Sequence, residues 1–183
     1  MDLKKSIHPS RNGDNYMKVI AFDQSTTATG WCVMEFGTKE IVDYGVIKPK
    51  GETNERIRTT IKRCLKLCED YQPTFVYIEG IQIQKNPKVY EILAKLQGSH
   101  EIMLEEKGYF VNVVKSSEWR RIIGIKTTKQ VFSESKQKQV RVHRKRAELK
   151  LEAMDMVEKL YHITPSEDES ESILMARAFT KGE

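Results

Sequence analysis

The sequence predicts an α/β fold: a mixed five-stranded sheet, three antiparallel strands followed by parallel ones, flanked by helices. Three observations carry this. Three short β-like runs stand close together between Val19 and Ile47, joined by brief polar links, as in a meander. Beyond them, apolar runs of strand length alternate with long segments of helical periodicity. A strand–helix–strand order of that kind implies parallel pairing through right-handed crossovers, with helices covering the sheet.

The elements follow in order. Residues 1–16 are polar and aperiodic, carry Pro9 and Gly13, and read as a disordered leader, with Met17 an alternative start just before the first strand. Val19 to Asp23 is an apolar run ending on a carboxylate. Gly30 to Phe36 carries Trp31, Val33 and Met34, and Ile41 to Ile47 alternates in part. Thr53 to Tyr71 reads as a helix with Ile57, Ile61, Cys64, Leu65, Cys68 and Tyr71 on one face, closed by Pro73. Phe75 to Glu79, "FVYIE", is a second buried strand that ends on a carboxylate. Pro87 opens a long helix to about Lys107, with Leu93, Leu96, Met103 and Leu104 inward and Gly108 after it. Tyr109 to Val114 is the last strand of the sheet. Residues 126–143 read as a long basic loop, followed by a helix from Arg144 to Tyr161 with Leu149, Ala153, Met156, Val157 and Leu160 inward. Ser166 and Glu169 form an S-x-x-E capping box after Pro165, which sets a final helix from about Glu167 to Phe179. Residues 17–183 are expected to make one domain.

Charge divides the chain. Arg120 to Lys150 holds eleven Lys and Arg against two acids, a net of +9 where all 183 residues carry +5, so the remainder is net acidic. A cationic segment of this density suits a polyanionic partner; a solvated loop and helix face is the ordinary reading of a charged run, but eleven cations against two acids weigh against a purely solvating role. The three cysteines, Cys32, Cys64 and Cys68, include no C-x-x-C pair and read as small buried side chains. No apolar run approaches membrane-spanning length, and a soluble, cytosolic protein is expected.

Asp23 and Glu79 each end an apolar strand, at the sheet edge where sites form in open α/β folds. Each alone is more often a turn or capping residue. Asp168 and Glu171 stand i, i+3 on the last helix, where acids also complement the helix dipole. Together the four make an oxygen-only donor set. Such a set suits Mg²⁺ or Mn²⁺, and a pair of these ions clamps the attacking and leaving oxygens of a phosphodiester.

"VIAFDQSTTATGW", "VYIEG", "LAKLQGSHEIMLEEKGYFVNVVKSSEWRRIIGIK", "RAELKLEAMDMVEKLY" and "DESESILMARAF", in this order, resemble the RuvC family of Holliday junction resolvases, phage-type members above all, within the ribonuclease H-like fold. The likeness covers about residues 17 to 180. It implies that Asp23, Glu79, Asp168 and Glu171 hold two Mg²⁺ ions, with Mn²⁺ able to substitute. The family more often has aspartate where Glu171 stands. It implies that Lys150 faces the scissile phosphate and that Gly98 lies near a dimer interface. It further implies a homodimer on branched DNA, cutting two symmetry-related strands of a four-way junction, with no nucleotide cofactor and no membrane. The basic segment then becomes the DNA surface, with Lys126, Lys129, Lys138, Arg141, Arg144, Lys145, Arg146 and Lys150 as its contacts.

Three rivals follow from the same residues. "FDQSTT" also resembles the phosphate-binding turn of actin-like sugar kinases, but such enzymes need two large lobes. A ribonuclease H-like nuclease acting on RNA or other branched DNA would use the same acids. A non-catalytic junction-binding protein would usually have lost one of them, and all four are present.

Overall fold

The computed structural model describes residues 17–83 and 85–180. The expected leader lies outside the described residues. Five strands form one sheet in the order β3-β2-β1-β4-β5: β1 Lys18–Asp23, β2 Thr29–Glu35, β3 Ile41–Ile47, β4 Phe75–Glu79 and β5 Phe110–Val114. β1 pairs antiparallel with β2, and β2 with β3; β4 lies parallel to both β1 and β5. The mixed sheet expected from the sequence is therefore present.

Period-2 alternation sorts the central strands onto two cores. Ile20, Phe22, Val76 and Ile78 face helices α1 (Thr53–Tyr71) and α2 (Pro87–Glu106). Val19, Ala21, Phe75 and Tyr77 face α4 (Arg146–Tyr161) and α5 (Glu167–Ala178). In α1, Ile57, Ile61, Cys64, Leu65 and Cys68 are buried along one stripe, and all three cysteines are free and buried. In α2 the buried stripe is Leu96, His100 and Leu104, spaced by four. Met103, expected inward, is exposed, because His100 takes the inward position and packs its ring on Phe22 at 5.1 Å. Leu160 is likewise exposed, since Ala153 and Val157 define the buried stripe of α4.

Two elements differ from the sequence reading. A short helix α3, Ser116–Ile122, follows β5 and buries Trp119 and Arg120. The segment expected as a loop forms a hairpin: β6 Thr128–Ser133 and β7 Lys138–His143, joined by a 3-10 turn at Glu134–Lys136. Val131, Val140 and Val142 supply the half-shielded face that a hairpin needs, hidden in sequence by the intervening Lys, Gln and Arg. Helix α4 starts two residues later than expected, with Lys145 as its cap. The Ser166–Glu169 capping box forms as expected, with each side chain bonded to the other's backbone N–H.

Candidate active site

The alternation that buries Val19 and Ala21 carries one step further to Asp23, and that of Phe75 and Tyr77 to Glu79. Both acids thus leave the sheet on the α4/α5 side, at the C-terminal edge of adjacent parallel strands. Gln24 ties these ends together, its amide donating to the Glu79 carbonyl at 3.2 Å. The polar turn after it closes on itself. Thr29 Oγ1 accepts from the Ser25 backbone N–H at 3.1 Å and donates to the Ser25 carbonyl at 2.8 Å, and the Ser25 and Thr27 hydroxyls meet at 3.0 Å.

Helix α5 brings the other pair. Its first turn lies against β2 at Gly30, where a Cβ would fall 2.0 Å from the Asp168 carbonyl oxygen. Gly30 is also the register partner of Asp23. The missing side chain therefore lets Asp168 settle beside the end of β1. Glu171, one turn on, is 1% exposed.

Cations and donors interleave with these acids. Arg120 forms a buried ion pair with Glu171, and its guanidinium lies 4.3 Å over the Trp119 ring. The fully buried Trp119 indole donates to Glu79 Oε2 at 2.7 Å. Lys150 Nζ is 2.9 Å from Glu167, 3.9 Å from Asp168 and 3.8 Å from Glu171. Burial, and then repulsion from Glu79, Glu171 and Asp168, holds the Asp23 carboxyl well above the usual carboxylate range, against the pull of Arg146. Burial also raises Glu79, with Arg120 and the Trp119 hydrogen bond opposing. Burial lowers the Lys150 ammonium, but Glu167 and its acidic neighbours outweigh that and raise it.

A cleft opens here, lined by Asp23, Gln24 and Glu79 from the sheet, Arg120 from α3, and His143, Arg144 and Arg146 from the hairpin and α4. Asp168 and Glu171 are not in its lining; they act on it through their charge on Asp23 and through the Arg120–Glu171 pair. Among the described residues, no three His, Cys, Asp or Glu side chains are grouped closely enough to hold a metal ion as they stand. The donor set still fits a divalent cation in chemistry and charge. Burial, with repulsion from the other three carboxylates, displaces the Asp23 titration, and Arg120 and Lys150 supply part of the neutralisation that such an ion would bring.

Sequence reasoning missed Trp119 and Arg120 as parts of this site. The signal available was "EWRR" soon after the last strand of the sheet, on the same edge as Glu79. Of the expected DNA contacts, Lys126, Lys138, Arg141, Lys145 and Arg146 are exposed. Lys129 pairs with Glu148 at 3.0 Å, and Arg144 pairs with both Glu148 and Glu152. No described helix is long and apolar enough to cross a membrane.

The family model described as "Crossover junction endodeoxyribonuclease RuvC" matches residues 19–166, a span that holds Asp23, Glu79 and Lys150 and stops short of Asp168 and Glu171. A Fusobacterium nucleatum crossover junction endodeoxyribonuclease RuvC is 30% identical over 86 residues, 45% of each chain. This match spans less than half the length of that relative. Two solved structures share the fold. Thermus thermophilus RuvC in complex with Holliday junction substrate aligns with a TM-score of 0.67 at 14% identity, over 88% of this chain and 92% of that one. The yeast mitochondrial Holliday junction resolvase aligns with a TM-score of 0.56 at 12% identity, over 90% and 78%. The fold is the ribonuclease H-like one expected.

Proposed function

The chain belongs to the crossover junction endodeoxyribonuclease RuvC family, and from that premise we propose that it resolves four-way DNA junctions by metal-dependent hydrolysis of paired phosphodiesters. The observation that carries this reading is the convergence of acids from β1, β4 and α5 at one sheet end, against a cationic cleft wall. Two Mg²⁺ ions, or Mn²⁺ in their place, held by Asp23, Glu79, Asp168 and Glu171, would activate a water and neutralise charge developing on the phosphate.

The chain's own residues provide the setting. Arg146 and Arg120 offset the acids' repulsion, so that a phosphate can enter a cleft whose sheet side is negative. Trp119 fixes the Glu79 carboxylate, and Gln24 fixes the backbone that carries it. Lys150 holds a positive charge close to Asp168 and Glu171, where it balances negative charge near the scissile group. Water oxygen bonds to phosphorus and the bond to the 3′-oxygen breaks, leaving 5′-phosphate and 3′-hydroxyl ends.

Two coordinated cuts on a two-fold symmetric substrate call for a homodimer. Val89, Tyr90, Ile102 and Met103 on α2 and Phe110 and Val113 on the edge strand β5 give an exposed apolar surface that supports one. A Cβ at Gly98 would meet nothing within 4 Å, which leaves room there for a second copy. Junction resolution of this kind would be carried out on DNA in the cytoplasm.

The test incubates the purified chain with a labelled four-way junction, a matched linear duplex and an RNA–DNA hybrid, each with Mg²⁺ or EDTA. Paired nicks on the junction alone, lost in EDTA, are expected. Equal cutting of all three, or cutting that persists in EDTA, overturns the reading. Asp23→Asn is expected to abolish cleavage and retain junction binding, because it removes a ligand and leaves the basic surface intact.

A further inference from the structure

The β6–β7 hairpin has two unlike faces. Its register places Lys129 opposite Val142, Val131 opposite Val140, and Ser133 opposite Lys138 on one side. That side holds the three half-shielded valines, and its Lys129 is pinned to Glu148 of α4. The other side pairs Gln130 with Arg141 and Phe132 with Gln139, and ends at Thr128 and His143. There Gln130, Phe132, Gln139, Arg141 and His143 all stand in solvent, and Phe132 is 56% exposed.

Each of those five side chains ends in a flat group: a benzyl ring, a guanidinium, an imidazole and two amides. Flat groups of this kind, aromatic rings and guanidinium planes above all, are what nucleobases stack on. The face is also continuous with the cleft, since His143 at its base lines the same cavity as Asp23 and Glu79. Four residue steps take the strand from the His143 rung to the Gln139–Phe132 rung, about 14 Å at the usual rise. Lys136, Lys138 and Arg141 add positive charge around it, against the single acid Glu134. Bases inside a duplex have both faces covered by their neighbours. The surface therefore suits bases that have left the stack.

We propose that the outward face of the hairpin is a stacking platform for unpaired nucleobases leaving the cleft, with Phe132 as its main contact. The proposal rests on reading the cleft as a DNA-cutting site, and it names the state of the DNA beside it.

The test titrates the full chain in EDTA with a single-stranded oligonucleotide and a four-way junction, both carrying 2-aminopurine, and with a linear duplex. Binding by the wild-type chain is expected to quench the 2-aminopurine of the first two. Phe132→Ala is expected to lose that quench and about five- to one-hundred-fold in affinity for both, with duplex binding little changed. Phe132→Trp is expected to restore quench and affinity, and all three proteins are expected to melt alike, since the side chain is exposed. Unchanged binding by Phe132→Ala overturns the platform, as does a Trp variant that fails to restore it. A change confined to oligomeric state also overturns it, in favour of a contact between copies. Phe132-dependent single-strand binding in a chain that cuts no junction sustains the platform and sinks the junction reading; a chain that binds no DNA sinks both.

Discussion

Glu79 reaches the cleft with one carboxylate oxygen already held by the Trp119 indole, which is buried and carries the Arg120 guanidinium on its face. Arg120 in turn holds Glu171, so one short helix orients acids from two other elements. Groups that orient ligands are commonly worth 10- to 100-fold in metal affinity or activity. Trp119→Phe keeps an aromatic ring in the core and removes only the donor. It is expected to lower cleavage by about that factor and raise the Mg²⁺ concentration needed for half-maximal rate, read from rates across a Mg²⁺ series. His100 gives a different single-residue effect. It is fully buried against Phe22, neither ring nitrogen has a partner among the described residues, and burial pulls its pKa down to about 4. Above pH 6.5 the imidazole is neutral in both folded and unfolded chains. As pH falls from there toward 4, the unfolded chain takes up a proton that the folded one refuses. Stability is therefore expected to drop with falling pH by up to about 3 kcal/mol, and His100→Met to flatten that slope, measured by urea unfolding at a series of pH values.

At the scale of elements, the approach of α5 to β2 sets the site. Gly30→Ala would put a methyl group into the Asp168 backbone, so either the helix or the strand must shift. It is expected to cost about 1–3 kcal/mol and to suppress cleavage more than the stability loss accounts for, checked by thermal melting beside a junction assay. The close packing behind this was only half legible. Strand-end acids, the two apolar strands that carry them and the Ser166–Glu169 box were readable, because alternation and capping leave local patterns. The reason for Gly30 was not, since the atom that excludes a side chain there comes from the far end of the sequence. Helix α3 escaped notice because seven residues are too few to show a period, and Trp119 and Arg120 gain their roles only from partners remote in sequence. The hairpin escaped because one of its faces is entirely polar apart from Phe132.

Over the whole molecule, positive charge is not uniformly free to meet phosphate. Lys129 and Arg144 are engaged by Glu148 and Glu152 and fasten the hairpin to α4, whereas Lys138 and Lys145 stand in solvent. If both exposed lysines contact DNA, Lys138→Ala with Lys145→Ala is expected to reduce the slope of log affinity against log salt by about 2. Arg144→Ala is expected to leave that slope nearly unchanged, by fluorescence anisotropy on the same junction across salt concentrations. The order in which the acids appear along the chain has a further effect. Asp23 and Glu79 emerge early during synthesis, but Asp168 and Glu171 belong to α5, which docks on β1 and β2 only after every strand of the sheet has been made. On the proposed reading, a ribosome-bound chain that has not yet released α5 carries an incomplete set of acids, and its site would be completed only by the last step of its own assembly.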